Sequence, residues 1–337
     1  MKIRFLAFAA LATLCSLIQT PVARALEAPV EKATAPVYVG SAMVEIEQLK
    51  TVWHDETRHR DVPVKILYPR TAGPFPLLIL SHGLGGNRDG LDYLGRFWAG
   101  HGYICAQIQH LGTDDSVWKG ATTEQQAQDA MKRAGGDIAN ILNRPRDVSF
   151  AVDQMLKLNA DEKSELSGKI NADAIGVAGH SLGGLTALLS AGQIASGGGF
   201  SLDLSDPRIK ACVAMSAPLN PRAPLAEQFA DYQVPTFTAV GADDNAVLGA
   251  TINHRQIYDA IEAPEQYLMI LANADHMTFA GERFGPDLPG DLRDHALIQK
   301  ATLAFWEAQL KDNAAAKSWL KHEFVVELKN GSVFESK

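Results

Sequence analysis

The fold of this chain is decided by one stretch, Ala174-Ile175-Gly176-Val177-Ala178-Gly179-His180-Ser181-Leu182-Gly183-Gly184. Its first five residues predict a buried strand, and the leucine- and alanine-rich residues 185–189 that follow predict a helix. The turn between them has the pattern Gly-x-Ser-x-Gly, whose glycines let the backbone crowd together while the serine hydroxyl is held out at the strand end. Chance matches to so short a pattern occur, but the flanking strand and helix give this one the required context. We therefore interpret Ser181 as a nucleophile at a strand-to-helix turn.

Short apolar runs and helical stretches alternate along most of the chain. Strands are predicted at 76–80, 103–108, 174–178, 209–215, 235–240 and 267–271, and helices at 90–100, 144–158, 182–194, 256–261 and 297–310. Uninterrupted apolar strands separated by helices are typical of a mostly parallel sheet that is covered on both faces. Residues 43–53 and 62–68 alternate in polarity instead and predict an antiparallel N-terminal hairpin. The expected class is therefore α/β, in a single domain over residues 41–337.

A base and an acid are expected after the later strands of such a sheet. His276 follows the apolar run 267–271 and is positioned to take a proton from Ser181 and return it to a leaving group. The strand before that run ends at Gly241-Ala242-Asp243-Asp244, which offers two candidates for the acid that orients the imidazole. The order Ser, Asp, His along the chain fits either aspartate. We favour Asp244, three residues after the glycine, and keep Asp243 as the alternative.

The negative charge that develops during acyl transfer requires preorganised hydrogen-bond donors. One expected donor is the backbone N–H of Leu182, directly after the serine. The other is expected from the glycine-rich loop Ser81-His82-Gly83-Leu84-Gly85-Gly86, where we assign the N–H of Leu84. The polar segment 111–143 is long for a connection and is expected to form a cap or rim over the site. Trp118 and Phe279 are the candidate pocket residues.

The N-terminus has the pattern of a signal peptide rather than of the core. A basic start (Met1–Arg4) precedes an apolar run over 5–18 and the small-residue sequence Ala23-Arg24-Ala25. We expect Sec-type export with cleavage after about Ala25, followed by a linker over 26–40 and a periplasmic or extracellular location. An uncleaved membrane anchor is the alternative, although the apolar run is short for a bilayer span.

Composition narrows the possible partners of the mature chain. Cleavage would remove three basic and no acidic residues, which takes the net charge from −8 to −11. An acidic surface disfavours nucleic acid and anionic membranes as partners. The two remaining cysteines, Cys105 and Cys212, lie in apolar runs and are expected to be buried strand residues rather than a disulfide. No Cys/His spacing in the sequence is typical of a zinc site.

The ordered set of motifs resembles a known group of enzymes. Ser-His-Gly-Leu-Gly-Gly at 81–86, Tyr93-Leu94-Gly95, His101-Gly102-Tyr103 and the Gly-His-Ser-Leu-Gly-Gly turn at 179–184 resemble the dienelactone-hydrolase-related serine esterases of bacteria, including those similar to platelet-activating-factor acetylhydrolase. The resemblance covers about residues 60–310. It implies an α/β-hydrolase fold and a serine carboxylester hydrolase that needs no cofactor. Ser181 stands where true dienelactone hydrolases have cysteine, which disfavours the dienelactone reaction itself.

The function expected from the sequence is therefore a secreted serine carboxylester hydrolase that forms an acyl-enzyme on Ser181. Two alternatives stay open. An acyltransferase or a serine peptidase would use the same triad, and a binding module on the hydrolase scaffold would use none of it. The substrate is expected to be a small-molecule or lipid ester, with polymer esters also open. Acyl-chain length and oligomeric state are not predicted by the sequence.

Overall fold

The computed structural model describes residue 38 and residues 40–197, 199–219, 223–245, 255–281, 290–329 and 331–337. The predicted signal peptide over 1–25 lies outside the described residues, as does the predicted linker over 26–40 apart from residues 38 and 40. No helix in the described part of the chain is long and apolar enough to cross a membrane.

In the part of the chain that the structure describes, nine strands form one mixed sheet, and two short strands pair separately. The strands are β1 (Ile46–Asp55), β2 (Arg60–Pro69), β3 (Phe75–Ser81), β4 (Ile104–Ile108), β5 (Ile170–His180), β6 (Ala195–Gly197), β7 (Phe200–Leu202), β8 (Ile209–Met215), β9 (Thr236–Gly241), β10 (Gln266–Leu271) and β11 (Val333–Ser336). The order in the large sheet is β1-β2-β4-β3-β5-β8-β9-β10-β11, and β6 pairs with β7. The six strands from β4 to β10 in this order run parallel. The hairpin β1–β2 flanks them at one edge and antiparallel β11 at the other.

Helices cover both faces of the sheet. They are α1 (Asp92–Gly100), α2 (Glu124–Gly136), α3 (Ile138–Ala160), α4 (Leu182–Ala191), α5 (Leu225–Gln228), α6 (Gln256–Ala260), α7 (Asp291–Leu310), α8 (Ala314–His322) and α9 (Phe324–Glu327), with 3-10 turns at Asp115–Val117 and His276–Phe279. Side chains alternate between the two faces along each strand, so β3 sends Leu78 and Leu80 into one core cluster and Leu77 and Ile79 into the other. The predicted parallel sheet with two covered faces is confirmed.

The first core cluster lies under α1 and α7 and contains Trp98 and Trp306, whose rings meet edge to face. The second lies under α3 and α4 and contains Val152 and Leu188. Cys105 and Cys212 are buried and free in β4 and β8, as expected from their apolar surroundings. The core is therefore built from the apolar runs that predicted the strands.

Several elements differ from the sequence prediction, and α8 and α9 were not predicted at all. The polar segment 111–143 contains the whole of α2 and the beginning of α3, which starts six residues before its predicted position at 144. The Gly/Ser-rich region after α4 contains the β6–β7 hairpin. The C-terminal residues, for which no strand was predicted, add β11 to the edge of the sheet beside β10.

Parallel strands bring their carboxyl ends to one edge of the sheet, and the candidate residues follow these ends. Leu84 follows β3, Ser181 follows β5, Asp244 follows β9, and His276 follows β10. The topology therefore gathers four segments that are far apart in sequence at a single edge.

Candidate active site

Ser181 lies in the sharp turn between β5 and α4 with an unusual backbone conformation. Its φ is 56° and its ψ is −124°, outside the regions that L-residues ordinarily occupy. Its N–H donates a 2.9 Å hydrogen bond to the Met215 carbonyl at the end of β8. Strained backbone of this kind costs about 1–3 kcal/mol and persists where the surroundings enforce it. This turn holds the serine clear of the strand, as expected for a nucleophile.

The glycines on either side of Ser181 permit very close backbone contacts. A Cβ on Gly179 would lie 2.1 Å from the Gly183 carbonyl oxygen. A Cβ on Gly183 would lie 1.9 Å from the Ser81 carbonyl oxygen. Neither contact is compatible with a side chain, so the Gly-x-Ser-x-Gly pattern is a steric requirement of this turn.

The imidazole of His276 is paired with the carboxylate of Asp244. The distance from His276 Nδ1 to Asp244 Oδ1 is 3.0 Å, and both side chains are almost fully buried. Asp243 is exposed, and it is Asp244 that contacts the histidine. Because Nδ1 is engaged by the carboxylate, Nε2 is the nitrogen available for proton transfer.

Backbone contacts hold the acid and base loops together. A Cβ on Gly241 would lie only 2.0 Å from the Ala274 carbonyl oxygen, and the Asp243 N–H donates to that oxygen at 3.0 Å. The loop after β9 therefore lies directly against the loop after β10, which fixes the Asp244–His276 distance.

His180, the residue before Ser181, links the serine turn to the base. Its Nε2 lies 2.8 Å from the His276 carbonyl oxygen, and the two rings are 4.7 Å apart. Burial and the proximity of His276 lower the pKa of His180 to about 3, so this ring is neutral at pH 7. A neutral imidazole donating from Nε2 ties the His276 loop to the residue next to Ser181.

The glycine-rich loop after β3 lies beside Ser181. A Cβ on Gly83 would lie 3.3 Å from the Ser181 Cβ, which places the Gly83–Leu84 peptide next to the serine. The Leu182 N–H opens α4, where the helix dipole favours negative charge. No hydrogen bond among the described residues uses the backbone N–H of Leu84 or of Leu182. Both amides are therefore available to a charge that develops at Ser181.

The segment 111–143 packs onto this loop. Trp118 Nε1 donates to the Gly85 carbonyl at 2.7 Å. A Cβ on Gly85 would lie 3.0 Å from the Met131 Sδ, and a Cβ on Gly135 would lie 2.8 Å from the Leu84 side chain. The 3-10 turn and α2 therefore rest on the loop that carries Leu84.

Comparisons with known proteins agree with this geometry. The sequence profile of the PET hydrolase-like family matches residues 137–284, and that of platelet-activating factor acetylhydrolase, isoform II, matches residues 51–154. Two cutinases from Thermobifida alba, est2 and est1, are each 26% identical to this chain over 212 residues, which is 63% of the chain. The matched region spans 56% of the length of each cutinase.

The chain has the α/β-hydrolase fold. The strand order, the serine turn and the matches to these families agree on this assignment, which confirms the expected fold.

One of the two candidate pocket residues has a different position from the one expected. Trp118 is half-buried above the glycine-rich loop. Phe279 is fully buried in the first core cluster, and its carbonyl accepts a hydrogen bond from the Tyr93 hydroxyl. Its side chain packs in the core because the 3-10 turn after His276 directs it inward.

Sequence reasoning missed a buried Ser-His-Asp array. His110 Nδ1 lies 3.0 Å from Asp147 Oδ2, and His110 Nε2 lies 3.1 Å from Ser81 Oγ. All three side chains are completely buried. Arg58 and Arg60 also bind the Asp147 carboxylate, at 2.7 and 2.9 Å. We call Ser81, His110 and Asp147 the sealed array.

The spacing of charged and apolar residues on α3 could have indicated this buried network. Arg144, Asp147, Val148 and Ala151 recur at the i, i+3, i+4, i+7 spacing of one helix face, and that face is buried. Two charged residues on an apolar face indicate a buried polar network. No group of His, Cys, Asp and Glu able to hold a metal ion occurs among the described residues.

Proposed function

We propose that the chain is a serine carboxylester hydrolase that uses Ser181, His276 and Asp244. The observation that carries the proposal is the buried Asp244–His276 pair at the sheet edge where Ser181 occupies its strained turn. The names of the matched proteins support it, because a PET hydrolase, an acetylhydrolase and a cutinase are all hydrolases. Because these names belong to enzymes that cleave esters, they also favour ester hydrolysis over the acyltransferase, peptidase and silent-module alternatives.

The reaction has two halves. Ser181 Oγ attacks the ester carbonyl while its proton passes to His276 Nε2, and the tetrahedral intermediate then expels the alkoxide, which takes that proton. Water attacks the acyl-enzyme in the same way, and Ser181 regains its proton as the acid leaves. Asp244 keeps the imidazole in the productive tautomer and stabilises its cation.

The oxyanion of each intermediate accepts hydrogen bonds from the N–H groups of Leu84 and Leu182. Neither amide has another acceptor among the described hydrogen bonds, and both lie beside Ser181. A single donor of this kind contributes roughly 10²–10³-fold to kcat.

The segment 111–143 forms the rim of the site, and Trp118 is its substrate-facing aromatic residue. The contacts of Trp118 and α2 with the Leu84 loop support this role. Esters of lipids, polymers and small alcohols all fit an enzyme of this class. The pattern over 1–25 supports export, which N-terminal sequencing of the mature protein checks.

The direct test is hydrolysis of 4-nitrophenyl acetate and 4-nitrophenyl butyrate. We expect turnover by the unsubstituted protein and a loss of at least about 10⁴-fold in kcat for Ser181→Ala. Ser190→Ala is the matched control, because Ser190 is a buried serine on α4 whose hydroxyl donates to the Thr186 carbonyl of the same helix. Full activity in Ser181→Ala would refute the proposal.

A further inference from the structure

Arg144, on α3, is a buried cation at the centre of the candidate site's framework. Its side chain is 1% exposed, and its three nitrogens each donate to a different segment. Nη2 binds the His82 carbonyl on the glycine-rich loop, Nη1 binds Thr113 Oγ1 at 2.6 Å, and Nε binds Thr186 Oγ1 at 2.8 Å. One guanidinium therefore joins the loop after β3, the start of the cap segment and helix α4.

The hydrogen bond from Arg144 to Thr186 on α4 connects the guanidinium to the first oxyanion donor. Thr186 Oγ1 donates to the Leu182 carbonyl at 2.8 Å, while it accepts from Arg144. Leu182 is the first residue of α4 and carries one of the two free amides. Arg144 thus holds the first turn of this helix through one threonine hydroxyl.

The hydrogen bond from Arg144 to the His82 carbonyl connects the guanidinium to the loop that carries the second donor. The His82 Nε2 accepts from the His110 N–H at 3.0 Å, so the proton of this ring is on Nδ1, which lies 2.6 Å from the Gly83 carbonyl. Burial and the nearby charge of Arg144 hold the pKa of His82 well below its usual value, which keeps the ring neutral. The Gly83 carbonyl and the Leu84 N–H belong to one planar trans peptide, so fixing the oxygen fixes the direction of the N–H.

The hydrogen bond from Arg144 to Thr113, in the segment 111–143, supports the same loop. The Thr113 carbonyl accepts from the Gly85 N–H at 2.8 Å, and the Thr113 hydroxyl accepts from Arg144. The guanidinium has no carboxylate within ion-pair distance among the described residues, and its partners are two hydroxyls and one carbonyl. A buried charge whose hydrogen bonds all go to neutral oxygens costs stability, so its presence calls for a role other than stabilisation.

We infer that Arg144 is a positioning residue of the oxyanion hole, which sets the distance and direction between the N–H groups of Leu84 and Leu182. The inference rests on the proposed function. Burial lowers the pKa of Arg144 to about 9, which leaves the guanidinium charged at neutral pH and its hydrogen bonds charge-assisted. Lysine keeps the charge but presents its donors from one atom and cannot span three segments.

The test compares Arg144→Lys with the unsubstituted protein in hydrolysis of 4-nitrophenyl butyrate and in inhibition by butylboronic acid. The boronate forms a tetrahedral adduct on a nucleophilic serine and so reports binding of the oxyanion geometry. We expect kcat to fall roughly 10–100-fold, KM to change less than about threefold, and the boronate inhibition constant to rise in parallel with the loss in kcat. The melting temperature, measured on the same samples, shows that the protein is folded.

A second variant covers the case in which Arg144→Lys does not fold. Thr186→Val keeps the guanidinium and removes the hydroxyl that connects it to the Leu182 carbonyl. We expect kcat to fall roughly 3–10-fold and the boronate inhibition constant to rise by the same factor. Thr302→Val is the matched control, because Thr302 is an equally buried threonine whose hydroxyl serves Trp98 and α7. This control is expected to lower the melting temperature without changing the ratio of the boronate inhibition constant to KM.

The outcomes separate the two claims. Normal turnover by the unsubstituted protein, together with unchanged boronate inhibition in folded Arg144→Lys and Thr186→Val, would overturn the inference alone. Absence of both turnover and boronate inhibition in the unsubstituted protein would overturn the proposed function. An activity loss that matches only the unfolded fraction of each variant would show that Arg144 has a purely structural role.

Discussion

The described residues contain two buried Asp–His pairs with the same Asp–His distance and different surroundings, one in the sealed array and one in the proposed triad of Ser181, His276 and Asp244. In each, an aspartate oxygen lies 3.0 Å from a histidine Nδ1. Ser181 lies in a strained turn at the edge of the sheet, whereas Ser81 ends a regular strand and is fully buried. Asp147 is shared by two arginines as well as a histidine. Residue types and hydrogen bonds alone therefore do not define a catalytic site, since access and backbone geometry decide which serine can react.

The sealed array has a structural role that its chemistry explains. Burial and the charge of Arg144 lower the pKa of His110 to about 3, so the ring is neutral and donates from Nδ1 to Asp147. Its Nε2 then accepts from the Ser81 hydroxyl. Ser81 directly precedes the glycine-rich loop, so this array anchors the loop that carries Leu84.

The largest expected effect is a loss of kcat on substitution of Asp244, in the proposed triad. Asp244→Asn removes the carboxylate that fixes the tautomer of His276, and we expect kcat to fall by about 10⁴-fold with little change in melting temperature. Steady-state kinetics on 4-nitrophenyl butyrate measure the effect. A loss below tenfold would show that Asp244 does not act as the triad acid, and Asp243→Asn then tests the alternative.

The equivalent change in the sealed array is expected to affect stability instead. Asp147→Asn leaves Arg60 without its carboxylate, which costs about 3 kcal/mol in the free energy of unfolding. Urea denaturation measures this cost. The kcat of the folded fraction is expected to fall less than tenfold, and a loss comparable with that of Asp244→Asn would remove the distinction between the two arrays.

The pH dependence of stability sharpens the comparison further. The pKa of His110 is about 3 in the folded protein and about 6.5 in the unfolded chain, so between these values the unfolded chain binds the additional proton. Stability contributed by neutral His110 is therefore present above pH 6.5 and lost as the pH falls toward 3, by at most about 1.4 kcal/mol per pH unit.

His110→Asn removes this titration, and we expect a shallower loss of unfolding free energy between pH 6.5 and 4. Urea denaturation at half-unit pH steps provides the measurement. His54→Asn is the control, because His54 is exposed and its pKa is raised by the hydrogen bond to Asp61. An unchanged slope in His110→Asn would show that His110 does not contribute to acid sensitivity.

The smallest expected effect is on kcat/KM, from Trp118 beside the glycine-rich loop. Trp118→Phe removes the hydrogen bond to the Gly85 carbonyl, a change of about 1 kcal/mol, so kcat/KM is expected to fall roughly fivefold. Trp53→Phe on the β1–β2 hairpin is the matched control. Kinetics across acyl-chain lengths measure both variants, and identical profiles for both would exclude Trp118 from the substrate side of the site.

The sequence predicted the parts of the molecule that depend on local pattern. Apolar runs such as 209–215 predict strands because a parallel sheet buries both faces, and the chain order of Ser181, Asp244 and His276 follows from the strands that precede them. β11 was missed because it is only four residues long and half-buried, and because its strand conformation depends on pairing with β10.

The sealed array was missed for a different physical reason. It forms between β3, the end of β4 and α3, so no short segment contains it. Phe279 illustrates the same limit, since position in the chain placed it near the site while the turn after His276 directs its side chain into the core. Side-chain direction in loops depends on tertiary contacts that sequence patterns do not encode.

The central claim is that the strained turn makes Ser181 the reactive serine. Labelling of the folded protein with a fluorophosphonate probe, followed by peptide mapping, tests this claim most directly. In the folded protein we expect one label, on Ser181, and none on Ser81. In the unfolded protein we expect no label on either serine. Absence of a label on Ser181, or labelling of Ser81 in the folded protein, would contradict the account.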